Sequence, residues 1–138
     1  MVEIVFRVRD WHLVDGTLDN TGAVERVGGD EALAEAAGRL REAGWAAAAQ
    51  HPRVQPGWGW PPEDDDLAVT LDRGDWALVV SELHRWADVG DLQGDRQGDP
   101  LGADDAASSR RIARAIEARL ADPAADGTAP GTSAGTDA

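Results

Sequence analysis

Between His51 and Asp66 the chain holds four prolines (Pro52, Pro56, Pro61, Pro62) and two glycines (Gly57, Gly59), so neither helix nor strand can run through it. Each proline removes a backbone donor and fixes φ. Regular structure must therefore be built separately on either side. On the N-terminal side, Val2, Ile4, Phe6 and Val8 alternate with Glu3, Val5, Arg7 and Arg9, the period-two pattern of a strand. The alternation slips at Asp10, where Trp11 and Leu13 take over the apolar phase, as at a bulge or a strand end. Asp15 to Gly22 is dense in turn formers, and Ala23 to Val27 can return as a partner strand. A β-hairpin over residues 2–28 is the simplest expectation. Gly28-Gly29 ends it, and Asp30-Glu31 places negative charge where a helix macrodipole favours it. Leu33, Ala36, Ala37, Leu40 and Ala43 form one face of a helix over about 30–43, with Gly44 as its terminator. Gly38 costs that helix roughly 1 kcal/mol relative to Ala unless another backbone packs close there. Trp45 to Ala49 reads equally as more helix or as a short strand.

On the C-terminal side, Leu67, Val69 and Leu71 alternate as a second strand segment. Asp72 is a helix N-cap with Asp75 acidic three residues on, and Trp76, Val79, Val80, Leu83 and Ala87 give the stripe of a helix over 73–89, which Gly90 can end. Ile112, Ala115, Ile116 and Leu120 mark another helix over 105–121, stopped by Asp122-Pro123. These two helices should form an antiparallel hairpin, burying their stripes on each other and on the sheet. Residues 122–138 contain no large hydrophobe and cannot offset their own ordering entropy. The expected fold is α+β: a small antiparallel sheet (the N-terminal hairpin plus a strand near 67–71) packed by about three helices. The expected organisation is a single domain over 1–121 and a disordered tail over 122–138. The rival is a mostly helical domain with the hairpin as an appendage.

Composition narrows the function classes. Cysteine is absent, which removes disulfides, zinc thiolates, iron–sulfur ligation and thiol nucleophiles together. Charges at Glu3, Arg7, Arg9 and Asp10 interrupt any secretory h-region, and no apolar run approaches the ~20 residues of a membrane span. A soluble, cytoplasmic protein without membrane partners is expected. All cations are arginine, a usage typical of a high-GC bacterial genome, and the missing lysine excludes Schiff-base and P-loop chemistry. Net charge is −13 and uneven, because residues 63–105 hold 13 acids against Arg73, Arg85 and Arg96. Such a field repels nucleic acid and attracts a basic protein surface, and it also serves solubility.

No catalytic constellation stands out. His12, His51 and His84 have no zinc spacing, although His84 and Asp88 share one helix face at i,i+4. Ser81, Ser108, Ser109 and Ser133 lie in no nucleophile elbow, and Ser108 and Ser109 suit the first turn of the last helix. Gly57-Trp58-Gly59-Trp60-Pro61 lacks the helix a dinucleotide fingerprint needs, and the acids after Gly28-Gly29 would repel a phosphate. The Gly-Asp tetrads at 90–101 place Asp91, Asp95 and Asp99 where Ca²⁺ ligands would sit, but without EF-hand spacing. The strongest candidate for function is Trp58 and Trp60 beside Glu63, Asp64, Asp65 and Asp66, aromatic anchors next to complementary charge. The alternative for these tryptophans is a lid folded over the core. The expected function is a non-catalytic protein-binding module of inhibitor, immunity, antitoxin-like or adaptor type, with no catalytic residues, metal or cofactor. The alternatives are a small metal-dependent hydrolase using His12, His84 and nearby carboxylates, or a structural subunit of an assembly.

Overall fold

The computed structural model describes residues 1–57, 59–97 and 100–126, with side chains described outside 94–103 and 126. The architecture is α+β. Strand β1 (Val2–Arg7) pairs antiparallel with β2 (Asp66–Leu71), with Val2 opposite Leu71, Ile4 opposite Val69 and Phe6 opposite Leu67. These six apolar side chains are buried, while Glu3, Val5, Arg7, Asp66, Ala68 and Thr70 face solvent. Both strands thus show the alternation that their sequences carry.

The hairpin over residues 2–28 does not form. Val8–Glu25 is a helix, α1, so β1 finds its partner 59 to 69 residues downstream rather than across a local turn. The reason lies in packing. Val8, Trp11, Val14 and Leu18 recur at helical spacing and are all buried, with Thr17, Thr21 and Gly22 beside them. That stripe outweighs the low helix propensity of Gly16, Asn20 and Gly22, since tertiary burial routinely overrides propensity.

Helix α2 (Glu31–Ala49) starts where expected: the Asp30 carboxylate accepts the Leu33 N–H at 3.2 Å. It does not stop at Gly44. Residues 45–49 continue the helix, and Gly44 is a contact point, because its missing β-carbon leaves room for the Trp11 indole of α1. Helix α3 (Arg73–Gln97) begins at the predicted cap, with the Asp75 N–H donating to Asp72 Oδ1 at 2.8 Å, and runs past Gly90. Helix α4 (Pro100–Ala121) packs against α3 as the expected antiparallel hairpin, and Arg110 fastens the two by reaching Asp88 and Asp91 at 2.7 Å each. Among the described residues, four helices therefore accompany the sheet rather than about three.

Trp11, Trp76 and Phe6 form the aromatic centre of the core, with ring centroids 5.6–6.5 Å apart. Trp76 also donates its indole N–H to the Val2 carbonyl at 2.9 Å, tying α3 to β1. Truncating either tryptophan to Ala should cost about 3–5 kcal/mol. Pro123–Asp126 form a 3-10 turn whose Ala125 is 4 % exposed and joins the core, so the fold extends past the expected boundary at 121. The remainder of the expected tail, 127–138, lies outside the described residues. No described helix is long and apolar enough to cross a membrane.

Candidate functional site

Helix α1 begins without a side-chain cap, since Arg7 occupies that position. Its first N–H groups would otherwise be orphaned. The acidic loop supplies the missing acceptors: Val8 N–H donates to the Asp65 carbonyl at 2.9 Å, and Arg9 N–H to the Glu63 carbonyl at 3.1 Å. Carboxylates are favoured at this end of a helix by the macrodipole, which gives the run at 63–66 a structural reason to be acidic. Its side chains also find local cations. Asp64 pairs with Arg9, and its carbonyl accepts from Arg7 Nη1 at 3.2 Å. Asp65 accepts from Arg53 Nη1 at 3.0 Å, and Glu63 lies 3.9 Å from His12 Nδ1. Glu63, Asp64 and Asp66 nevertheless remain exposed. Trp60 is half-buried against the core, with its ring edge-on to His12 at 4.7 Å. Trp58 lies outside the described residues.

The three histidines have separate surroundings. His12, on α1, meets Trp60 and Glu63. His51 Nε2 lies 3.0 Å from the Asp66 carbonyl, and its Nδ1 accepts the Arg53 N–H at 3.0 Å, so it pins the loop to the start of β2. His84, on α3, lies 3.6 Å from Glu117 of α4, while Asp88 turns instead to Arg110. The i,i+4 pairing of His84 with Asp88 is thus replaced by two contacts between helices. Among the described residues no cluster of His, Asp and Glu is arranged to hold a metal ion. Asp91 is taken by Arg110, and the side chains of Asp95 and Asp99 lie outside the described residues.

A polar network that the sequence did not disclose links α1 to α3. Glu82 is 5 % exposed and accepts from the Thr21 hydroxyl at 2.6 Å and from Arg85 Nη1 at 3.0 Å. Thr21 in turn accepts the Trp86 indole N–H at 2.8 Å. Arg85 reaches Glu25 at 2.7 Å and lies over the Trp86 ring. Glu25 closes the chain by accepting the Asp30 N–H at 2.8 Å, beside the start of α2. That N–H first, and then Arg85, hold the Glu25 carboxyl below its usual range. Each of these donors and acceptors is matched. The network locks helices together. Thr17 and Thr21, one helical turn apart on an apolar stripe, were the available signal for it.

A cleft of about 450 Å³ lies between α1, α3 and α4, with His12, Thr17, Asn20, Trp86 and Ser109 on its walls. His12 Nε2 itself is buried and has no hydrogen-bond partner among the described residues. His51 and His84 do not line it. Compared with protein-family models, curated proteins and solved structures, the chain matches none of them.

Proposed function

We propose that this chain is a non-catalytic, cytoplasmic protein-binding module, of inhibitor, immunity, antitoxin-like or adaptor type, that engages a basic protein surface and avoids nucleic acid. One observation carries the reading. Arg9, Arg39, Arg41, Arg53, Arg85, Arg110, Arg111 and Arg119 are each committed to a carboxylate of the chain itself. Glu3, Glu31, Glu35, Glu42, Asp66, Asp104 and Asp105 are exposed and have no such partner among the described residues. Glu31, Glu35 and Glu42 recur at i, i+4 and i+11, which sets them on one outer stripe of α2. Uncompensated carboxylates on a rigid helix attract cations at long range and bear little desolvation cost before contact.

The test is affinity capture at low and at raised ionic strength with three baits: the native chain, a Glu31→Gln/Glu35→Gln/Glu42→Gln variant, and a Glu63→Gln/Asp64→Asn/Asp66→Asn variant. A basic partner retained at low salt, released at high salt and weakened by one of the neutralised sets is the expected result. Capture indifferent to salt and to both sets would refute the reading. His12, which lines the cleft and whose Nε2 has no partner among the described residues, favours a second reading, a small hydrolase-like enzyme with His12 as its acid–base group. Elemental analysis and a His12→Ala variant in hydrolase screens address it directly.

A further inference from the structure

Strand β1 has one edge on β2, and no strand among the described residues pairs with its other edge, although the Pro123–Asp126 turn and α4 also pack against β1. The register pairs Val2 with Leu71 and Arg7 with Asp66, and the Val8 N–H to Asp65 carbonyl bond continues it by one residue. Val8 therefore belongs to the hydrogen-bonded set of an antiparallel ladder, and so do Val2, Ile4 and Phe6 at two-residue steps. The backbone groups of Glu3, Val5 and Arg7 then point to the other side. Arg7 is the N-cap of α1, so its carbonyl starts the helix. This leaves the N–H and carbonyl of Glu3 and of Val5, and the N–H of Arg7, along the free edge. None of them has a hydrogen-bond partner among the described residues. An open groove of about 280 Å³ is lined by Ile4–Arg7, by Asp66 of β2 and by Arg111 and Ala115 of α4.

The side chains on this stretch are self-complementary. Val5 is 56 % exposed in mid-strand, with Glu3 and Arg7 two residues away on either side and on the same face. Neither charge has an oppositely charged partner among the described residues, and Arg7 reaches only the Asp64 carbonyl. Suppose a second β1 runs antiparallel along the free edge. Only pairings of odd with odd residues bring the outward backbone groups together. Of these, the register centred on Val5 sets Val5 against Val5 and each Glu3 against the other chain's Arg7. A shift of two residues either way sets Val5 against a charge, and a shift of four sets like charges opposite each other.

We propose that β1 is a homodimerisation edge: two copies join through it about a twofold axis at Val5, forming a continuous four-stranded antiparallel sheet. Val5 N–H donates to the Val5 carbonyl of the other copy, and Arg7 N–H to its Glu3 carbonyl, each reciprocally. Pairing in this way covers an edge that would otherwise template aggregation.

The test uses sedimentation equilibrium of the full chain in about 0.15 M salt, where the Debye length is about 8 Å and repulsion between two acidic copies is damped. The native chain should dimerise. Glu3→Arg or Arg7→Glu alone should weaken the dimer about tenfold, because each places like charges opposite one another. The double exchange Glu3→Arg/Arg7→Glu should restore it, which no general loss of fold would do. The chain has no cysteine, so Val5→Cys gives a single thiol. Directly opposed residues of a hydrogen-bonded pair lie about 5.5 Å apart, within disulfide reach. Val5→Cys should therefore cross-link under mild oxidation much faster than Glu31→Cys on α2. A chain that stays monomeric at the highest soluble concentration overturns the proposal. So does a dimer indifferent to the charge exchanges, or Val5→Cys cross-linking no faster than Glu31→Cys; these would place the contact on another surface.

Discussion

Replacing Gly44 by Ala sets helix propensity directly against packing. In an open mid-helix position the change stabilises by up to about 1 kcal/mol, because Ala loses less backbone entropy than Gly. At Gly44 a β-carbon would lie 2.5 Å from Cζ2 of Trp11 and closer still to two other indole atoms. Non-bonded carbons rest at about 3.5–4.0 Å, so the ring or the helix must move by about 1 Å. The ring has nowhere to go. Trp11 is 0 % exposed and is held by Phe6 at 5.6 Å and by Trp76, edge-on, at 6.5 Å. Overpacking of this kind costs about 1–3 kcal/mol, and a rigid indole belongs at the upper end. After the propensity gain, Gly44→Ala should destabilise by about 1–2 kcal/mol.

Gly38 in the same helix supplies the control. Its β-carbon would meet only Arg26 Nη2 at 3.9 Å, an ordinary contact, so Gly38→Ala should stabilise by about 0.5–1 kcal/mol. Urea unfolding followed by circular dichroism and tryptophan fluorescence measures both, provided the m-values agree with the native chain. Two substitutions of identical chemistry, six residues apart, should shift the midpoint in opposite directions. If Gly44→Ala is as stable as the native protein, the close approach of α1 and α2 at Trp11 is wrong.

Three further outcomes follow from the geometry. Thr21→Val keeps the shape but removes a donor to the buried Glu82 and the acceptor of the Trp86 N–H; it should cost about 2–3 kcal/mol by the same assay, and a loss below about 0.5 kcal/mol would show the network to be solvated. The Glu25 carboxyl is depressed below its ordinary 4.5, chiefly by the Asp30 N–H and then by Arg85, so its contribution is complete above that value and is lost as pH falls through the lower folded one. Thermal melts across the acid range should show Glu25→Gln less stable than the native chain near neutrality, with a shallower acid loss; identical slopes would contradict the assignment. Ala125→Asp would bury a carboxylate beside β1 and should lower the melting midpoint by several degrees, whereas an unchanged midpoint would put the 3-10 turn outside the fold.

What the sequence disclosed and what it concealed divide along a physical line. Alternation in Val2–Arg7 and Leu67–Leu71, the Asp30 and Asp72 caps, and the apolar stripe from Trp76 to Ala87 are local signals, and each appears in the structure where expected. Helix α1 was hidden because its local chemistry argues for turns, through Asp15, Gly16, Asn20 and Gly22, whereas its stability comes from partners far along the chain. Gly44 shows the same division. As a local signal it reads as a terminator, but its function is to admit Trp11, and no local rule relates those positions. The acidic run was visible as charge, yet its role as the cap of α1 depends on a contact across more than 50 residues.

The ion pairs extend this reasoning to association. Most of the committed arginines join different elements: Arg41 of α2 to Asp15 and Asp19 of α1, Arg39 of α2 to Asp75 of α3, Arg111 of α4 to Asp10 of α1. Exposed pairs of this sort are worth at most about 1 kcal/mol each, so they orient helices more than they hold the fold together. Their larger consequence is that they consume most of the cations, Arg7, Arg26 and Arg114 aside, and leave the surplus negative charge on the outside. That surplus acts in opposite senses on the two proposed associations. It draws a basic partner, an attraction that added salt screens away. It also drives two copies of this chain apart, a repulsion that the same salt relieves, while the four backbone bonds of a β1–β1 edge are barely screened. Capture of a basic partner should therefore weaken, and self-association strengthen, over one and the same salt titration. A chain in which both moved in the same direction would not owe its associations to this charge distribution.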